Sequence, residues 1–598
     1  MGLTTAINYR RSIHPRFFVN LGVQYSRLND RLTPFFSGRR NVSGEAGIGG
    51  NNQEEVNWGP PSLSFASGIT NLSDAQAAFT RNQTMGYSAD AFFNRGGHNL
   101  TFGGVHRRQQ FNVLSQQDAR GSFAFTGAAA GNDTAGFLLG IPDTSSIAFG
   151  NADKYLRATI GEALFNDDWR VNPGLTVNYG ARWEYWSPAR EKYGRLVNLD
   201  AAARPRVGGE LEPDRNNWAP RIGFSWRPLP ASSMVVRGGY GVYYDTSVYQ
   251  PIAMQMAQQA PLSKSLRVAN SAATPLTLAN GFPEAASATS ATTFAVDPRF
   301  RVGYSQNWQL SIQRDLPAAL QMTASYNGGK GTRGQQQFLP NTFPFGAVEP
   351  TGYTYLTSNG NSIRHAGQIQ LRRRLRSGLT AQASYTWAKS IDNAALGGRN
   401  QGGPLVAQNW LDLSAERGRS NFDQRHLLAG MVQYTTGMGL RGGALATGWK
   451  AKALKEWTFG SQINAGSGLP LTPILFAAVR GTGVTGPLRP DYTGLSIYDA
   501  PAGFYLNPAA VAAPVAGRWG NAGRNSITGP PQFALTASLG RTFRSTERFS
   551  LDVRMDAANA LNSVRFPSWN TVVGNAQFGL PVTANPMRTM QLTVRTRF

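Results

Sequence analysis

RTMQLTVRTRF, residues 588–598, decides how the rest of the chain is read. Successive side chains of a strand point to opposite sides. Met590, Leu592, Val594 and Phe598 therefore share one face, with Thr596 in the remaining slot, while Gln591, Thr593, Arg595 and Arg597 share the other. Termini fray unless something ties them down. A final strand this regular is either the edge of a sandwich or the last stave of a barrel with lipid on one flank and water on the other.

The same alternation recurs upstream. GLTVNYGARWEYW (174–186) sets Leu175, Val177, Tyr179, Ala181, Trp183 and Tyr185 against Thr176, Asn178, Arg182 and Glu184. NWQLSIQRDL (307–316), GLTAQASYTWAKS (378–390) and FSLDVRMD (549–556) repeat it. A period of two sustained over about ten residues is the signal of a strand that crosses a bilayer at a tilt. Short connections fall around Arg11–Pro15, Arg95–His98, Val171–Gly174, Pro228–Ser232, Leu316–Ala318, Arg376–Gly378 and Arg544–Glu547, with a longer one near Gly437–Lys450. Long Gly/Asn/Pro-rich stretches alternate with them, roughly over 28–83, 113–153, 188–216, 246–300, 330–360, 391–422, 466–530 and 561–586. Structureless loops of that length are foreign to a compact soluble domain. They are expected of an outer-membrane barrel, which has short periplasmic turns and long extracellular loops. The chain is thus predicted to be all-β, a transmembrane antiparallel up-and-down barrel with seventeen readable strands. Aromatics near segment ends, such as Tyr243-Tyr244 and Trp387, suit interfacial girdles.

Composition narrows the function. With no cysteine in 598 residues, disulfides, thiol nucleophiles and cysteine-ligated zinc are excluded. No stretch approaches the ~20 consecutive apolar residues of a membrane helix. The formal charge of +24 is carried mostly by arginine. A basic chain raises nucleic acid as a partner, but these arginines are dispersed along strands and loops with no basic helix or zinc-finger spacing. The expected partners are outer-membrane lipid and lipopolysaccharide phosphates facing the outer loops, and no nucleic acid. The opening MGLTTAINYRRSIHPRFFVN shows no basic-then-apolar secretion signal. Since intact bacterial single-chain barrels have an even strand number, an odd count predicts an N-terminally truncated barrel occupying residues 1–598.

Candidate chemistry is sparse. His14, His98, His106, His365 and His426 lack the spacing of a zinc or iron motif. GGKGTR (328–333) departs from a phosphate-binding loop and reads as the start of an external loop after Tyr326. Asp167, Asp168 and Asp392 read as solvated strand-end carboxylates. No catalytic set, cofactor site or metal site is expected, and the chain is not read as an enzyme. The functional candidates are charges facing the lumen: Arg182, Arg372, Arg374, Arg376, Arg554, Arg595 and Arg597. Buried charge is costly, so these must meet water, one another or carboxylates of a plug. They are candidates for plug contact or for steering an anionic solute.

The chain resembles the Oar-like TonB-dependent outer-membrane receptors of Acidobacteria and myxobacteria. The resemblance rests on FNRGGHNLTFGGVHRRQQFN (93–112), FNDDWRVNPGLTVNYGARWEYWSP (165–188), NWAPRIGFSWRP (217–228) and RGGYGVYYD (237–245). It continues in YSQNWQLSIQRDL (304–316), SYTWAKSIDN (384–393), RGRSNFDQRHLLAG (417–430), RMDAANALNSVRFPSW (554–569) and FGLPVTANPMRTMQLTVRTRF (578–598). It implies a barrel of about 22 strands. It further implies a signal peptide, a carboxypeptidase-regulatory-like domain and a plug with the TonB-binding box, none of which these residues supply. TonB would be met only through those other parts, and the cargo would be a large solute such as an oligosaccharide, peptide or metal chelate. By resemblance to outer-membrane proteins generally, Met590, Leu592, Val594 and Phe598 form the signal read by the barrel assembly machinery.

Overall fold

The computed structural model describes residues 2–66, 69–200, 204–283, 294–338, 354–393, 407–409, 412–437, 448–475, 488–544 and 550–598. Seventeen long strands follow one another in a single antiparallel meander. The first six are β1 (Gly2–His14), β2 (Phe17–Leu32), β3 (Ala78–Arg95), β4 (His98–Ser115), β5 (Asp153–Asn172) and β6 (Leu175–Trp186). Then come β7 (Asn217–Trp226), β8 (Val235–Tyr244), β9 (Tyr304–Leu316), β10 (Leu320–Phe338), β11 (Thr354–Arg376) and β12 (Leu379–Asp392). The last five are β13 (His426–Thr435), β14 (Trp457–Gly466), β15 (Gln532–Arg544), β16 (Ser550–Ala558) and β17 (Thr589–Arg597). Each is hydrogen-bonded to the next in sequence, without a crossover.

The sequence dictates this locally through its turns. Ser377 and Gly378, with φ of 53° and 79°, make the type I′ turn that matches strand twist and pins the β11–β12 register. Gly96, at φ 61°, lets two residues suffice between β3 and β4. The short connections lie at one end of the sheet and the long ones at the other, although the connection over 436–456, at the short-turn end, is itself long. Residues 438–447 and 545–547 of the predicted Gly437–Lys450 and Arg544–Glu547 turns, and 67–68, 201–203, 284–293, 339–353, 394–406, 410–411 and 476–487 of the predicted loops, lie outside the described residues.

Among the described residues the sheet does not close. With an odd number of staves, β1 and β17 run in the same direction, so the antiparallel ladder used everywhere else cannot join them. No pairing links them, and both edge strands are exposed along their whole length.

The long connections are more structured than the sequence suggested. Segments Ser62–Phe65, Asp118–Phe125, Thr144–Gly150 and Ser263–Ala269 form a four-stranded sheet around Phe123, Phe125, Ile147 and Phe282. A second apolar cluster seats the helix Tyr249–Ala257 with Leu156 of β5, against Phe111 and Trp186 of β4 and β6. A third, around Leu506, Ile527, Trp569 and Phe578, joins the loops before β15 and β17. Buried Arg489 meets Glu416 at 2.8 Å, and Arg524 pairs with Asp392. Asp392 is therefore no solvated strand-end carboxylate: its residue is 4% exposed and its charge is matched by a guanidinium.

Two strand ends also differ from expectation. β2 runs on to Leu32 and β3 starts at Ala78, where a loop over 28–83 was predicted. GGKGTR lies inside β10, paired with β9 and β11, not in an external loop. The ladder continues through polar and glycine residues that interrupt the apolar alternation.

Candidate functional site: the inner wall of the sheet

Directly paired residues of an antiparallel ladder share a face, so the register carries a face assignment from strand to strand. Val177 lies opposite Trp169 and Phe224; Ala181 lies opposite Phe165 and Pro220. Continuing across β8, β9 and β10, Ile222 leads to Tyr240, Trp308 and Gly328. Large apolar side chains on this face are widely exposed: Ile222 is 54% exposed, Leu310 46% and Leu592 68%. So broad an apolar exposure needs a covering phase. The opposite face carries Asn166, Asn178, Arg221, Gln309, Asn327, Gln368 and Gln382, linked by the same registers.

The predicted arginines fall on this polar face with one exception. Arg182 lies between Glu162 and Glu184, at 3.8 and 3.9 Å, and Arg107 stands 3.9 Å from Glu162. Glu162 and Glu184 sit directly opposite each other, so the two arginines offset a like-charge pair that would otherwise repel. Arg374 meets Asp315 at 3.4 Å, Arg554 meets Asp556 at 2.7 Å, and Arg597 meets Asp552 at 3.4 Å. Arg595 lies opposite Asp552, and Arg372 lies between Gln321 and Gln382. Arg376 is the exception: a register shift after Arg373 sets it opposite Leu379 at the turn, out of the alternation that holds Arg372 and Arg374. The arginines are not gathered into one site. Arg182, the Arg372/Arg374 pair and the Arg554/Arg595/Arg597 group lie on separate arcs of the wall.

What the sequence reading missed is a groove. A depression of about 870 Å³ crosses β5 to β10, lined by Asn166, Asp168, Asn178, Arg221, Tyr243, Asn307, Gln309 and Asn327. Its floor includes Gly180, Gly223, Gly239 and Gly241. A neighbouring depression of about 370 Å³ carries it on past Gly329 and Arg364 to Gln368 and Thr386. At Gly223 and Gly239 an added Cβ would meet nothing closer than 3.5 Å, and neither residue has a positive φ. Neither conformation nor packing within this chain requires glycine there. Such a strand glycine leaves bare backbone for something to approach closely. The signal was present as glycines at one height on neighbouring strands, but only the register reveals their common height.

The adjacent acids Asp167 and Asp168 part company. Asp168 joins the groove, whereas the Asp167 side chain is 1% exposed on the opposite face, 2.6 Å from His98 Nδ1 and accepting from Tyr179 Oη at 2.8 Å. Asp167 is thus a buried, hydrogen-bonded carboxylate and not a solvated one. Among the described residues, no three His, Asp or Glu side chains gather as metal ligands would.

A long-stranded meander with one bare apolar face and one polar face is the wall of a transmembrane β-barrel, because lipid tolerates only backbone whose polar groups are satisfied internally. The chain belongs to the outer membrane beta barrel domain family, whose model matches residues 2–591, and is an outer-membrane protein. Its fold is similar to that of the outer membrane transporter YddB from Escherichia coli, at 11% identity and a TM-score of 0.53, over all of this chain and 62% of that one. The ferric-catecholate import receptor Fiu of Escherichia coli (11%, TM-score 0.45, 99% of this chain and 63% of that one) is another structural neighbour. So is the ferric yersiniabactin uptake receptor FyuA of Yersinia pestis (10%, TM-score 0.44, 100% and 60%). The chain spans less than two thirds of the length of these three proteins. No curated protein matches it.

Proposed function

We propose that this chain is the barrel wall of a TonB-dependent transporter of the Oar-like kind, taking up a bulky solute and catalysing no reaction. The observation that carries the proposal is the inner wall itself. It is polar from strand to strand, and its glycine-floored groove leaves backbone bare along a continuous arc. The contact with TonB belongs to segments other than this wall. Within the wall, Arg372 and Arg374 are the residues we assign to solute or plug contact, with Arg182, Arg554, Arg595 and Arg597 as further lumen charges. Arg374 has a carboxylate partner in Asp315, while Arg372 faces only amides in the ladder.

The test is uptake by a deletion strain across candidate carbon and iron sources, complemented with wild type or with Arg372→Gln/Arg374→Gln. Removing the pair lowers uptake of an anionic solute several-fold at low ionic strength while barrel assembly stays normal. Unchanged uptake refutes the steering role. A second reading, surface attachment without energised transport, draws on the long loops, which build apolar cores of their own. It predicts a deletion strain with altered attachment and unaltered uptake of every solute tried.

A further inference from the structure

The outward face of β2–β5 changes character abruptly toward the loop end. Starting at the short-turn end, β2 presents Phe17, Val19, Leu21, Val23 and Tyr25 outward, opposite Phe93, Ala91, Ala89, Tyr87 and Met85 of β3. The next rows are Arg27 opposite Gln83, Asn29 opposite Arg81, and Arg31 opposite Phe79. On β4 the same step runs from Leu100 and Phe102 through His106 to Arg108, Gln110 and Asn112; on β5 it runs from Phe165 and Ala163 to Arg157.

The height of this step can be worked out. Ten residues separate the Phe17 row from the Arg27 row. At ~3.3 Å per residue and a tilt of ~45° that is about 23 Å, close to the ~25 Å apolar band of an outer-membrane barrel. The arginines therefore stand where acyl chains give way to headgroups on the extracellular side. Three ladder steps of ~4.8 Å make the patch about 14 Å wide.

Five arginines converge here, Arg27, Arg31, Arg81, Arg108 and Arg157, and among the described residues none makes an ion pair. Their polar neighbours are amides: Arg157 donates to Asn112 at 2.8 Å, and Arg27 to Asn29 at 3.3 Å. Of the carboxylates around the patch, Asp153 accepts from Tyr155 Oη at 2.8 Å, and Glu191, which acts on Arg157 without an ion pair, is held by Arg195 at 2.9 Å. Beyond β5 the unpaired arginines stop: Arg190, opposite Arg157, meets Glu210 at 3.2 Å, and β6 and β7 present Trp183, Tyr185 and Trp218 at their loop ends. Like charges gathered at a membrane interface without direct ion-pair partners attract anions there, and guanidinium groups match phosphate geometry.

We propose that the outward face of β2–β5 is a binding site for the phosphorylated headgroup of an outer-leaflet lipid, held by Arg27, Arg31, Arg81, Arg108 and Arg157 above the apolar band. The site differs from the lumen candidates in both face and ligand. The fold supplies its own control, since Arg107, next to Arg108, points inward toward Glu162.

The test uses the full chain folded in detergent micelles and bisphosphorylated lipid A as the probe, with binding followed by native mass spectrometry. Wild type retains the lipid. Arg81→Gln/Arg108→Gln weakens retention by about tenfold or more, while Arg107→Gln leaves it unchanged. On wild type, dephosphorylated lipid A is retained at least about tenfold less well, an arm that decides the matter even if the double variant fails to fold. Equal retention of the two lipids, equal retention by the double variant, or equal loss in Arg107→Gln overturns the proposal. Full displacement by millimolar inorganic phosphate would overturn it too, reassigning the patch to free anions.

Discussion

Val23 and Gln24 are neighbours in sequence, and the structure requires them to differ sharply when each is replaced by arginine. Val23 lies outward between Ile7 and Tyr87 and is 40% exposed; Gln24 lies inward between Ala6 and Gly86. Six residues separate Val23 from Phe17, about 20 Å along the strand and about 14 Å of height at a ~45° tilt, near the middle of a ~25 Å band. An arginine at that depth on the lipid face costs about 2–4 kcal/mol, a shift of roughly 30- to 900-fold in the folding equilibrium. Gln24→Arg faces water and is expected to change stability by no more than about 0.5 kcal/mol. The assay is guanidinium unfolding of the full chain in lipid vesicles, followed by tryptophan fluorescence for wild type and both variants. Equal costs, or a larger cost at Gln24, would refute the face assignment on which the groove, the arginines and the lipid site all depend.

Two further outcomes follow. Deleting Phe598, which is 95% exposed at the end of β17, should lower the outer-membrane yield several-fold in fractionated cells without altering synthesis; full assembly would withdraw the assembly-signal reading. Acid should loosen the extracellular turn around Asp143. Burial alone would raise this carboxyl's pKa, but N–H groups of Thr126, Ala129 and Gly127 and the Thr126 hydroxyl outweigh burial and hold it below the ordinary value. A lowered folded pKa means the carboxylate stabilises the turn above the unfolded value of about 4 and loses that effect as pH falls through the lower folded value. Hydrogen-exchange protection of Gly127 and Ala129, corrected for intrinsic rate, should fall over that window in wild type and show no such step in Asp143→Asn.

The strand count, the alternation of long and short connections and the two faces were legible because each rests on a local rule: period two, turn chemistry, loop length. The seventeen staves, and the sharing of one polar face by Arg182, Arg372, Arg374, Arg554, Arg595 and Arg597, follow from it. Where locality fails, so did the reading. Asn29, Arg31 and Arg81 looked like loop because they break the apolar pattern, yet the ladder continues beyond the bilayer and keeps them in strands. Arg376 left its predicted face because one register shift reverses parity, and nothing in QIQLRRRLR announces a bulge. Asp167 is buried by His98 and Tyr179 from neighbouring strands, and the groove's glycines meet across successive strands whose register no local pattern fixes. Register alone brings such residues together.

The most direct test of the two-faced wall uses the absence of native cysteine. Single cysteines placed in turn at Gln309, Leu310, Ser311 and Ile312 of β9, spin-labelled in vesicles, report collisions with oxygen from lipid and with a nickel chelate from water. High oxygen access at 310 and 312 with high chelate access at 309 and 311 is the predicted result. Labels at 310 and 312 shielded from both reagents, as between two packed sheets, would contradict it.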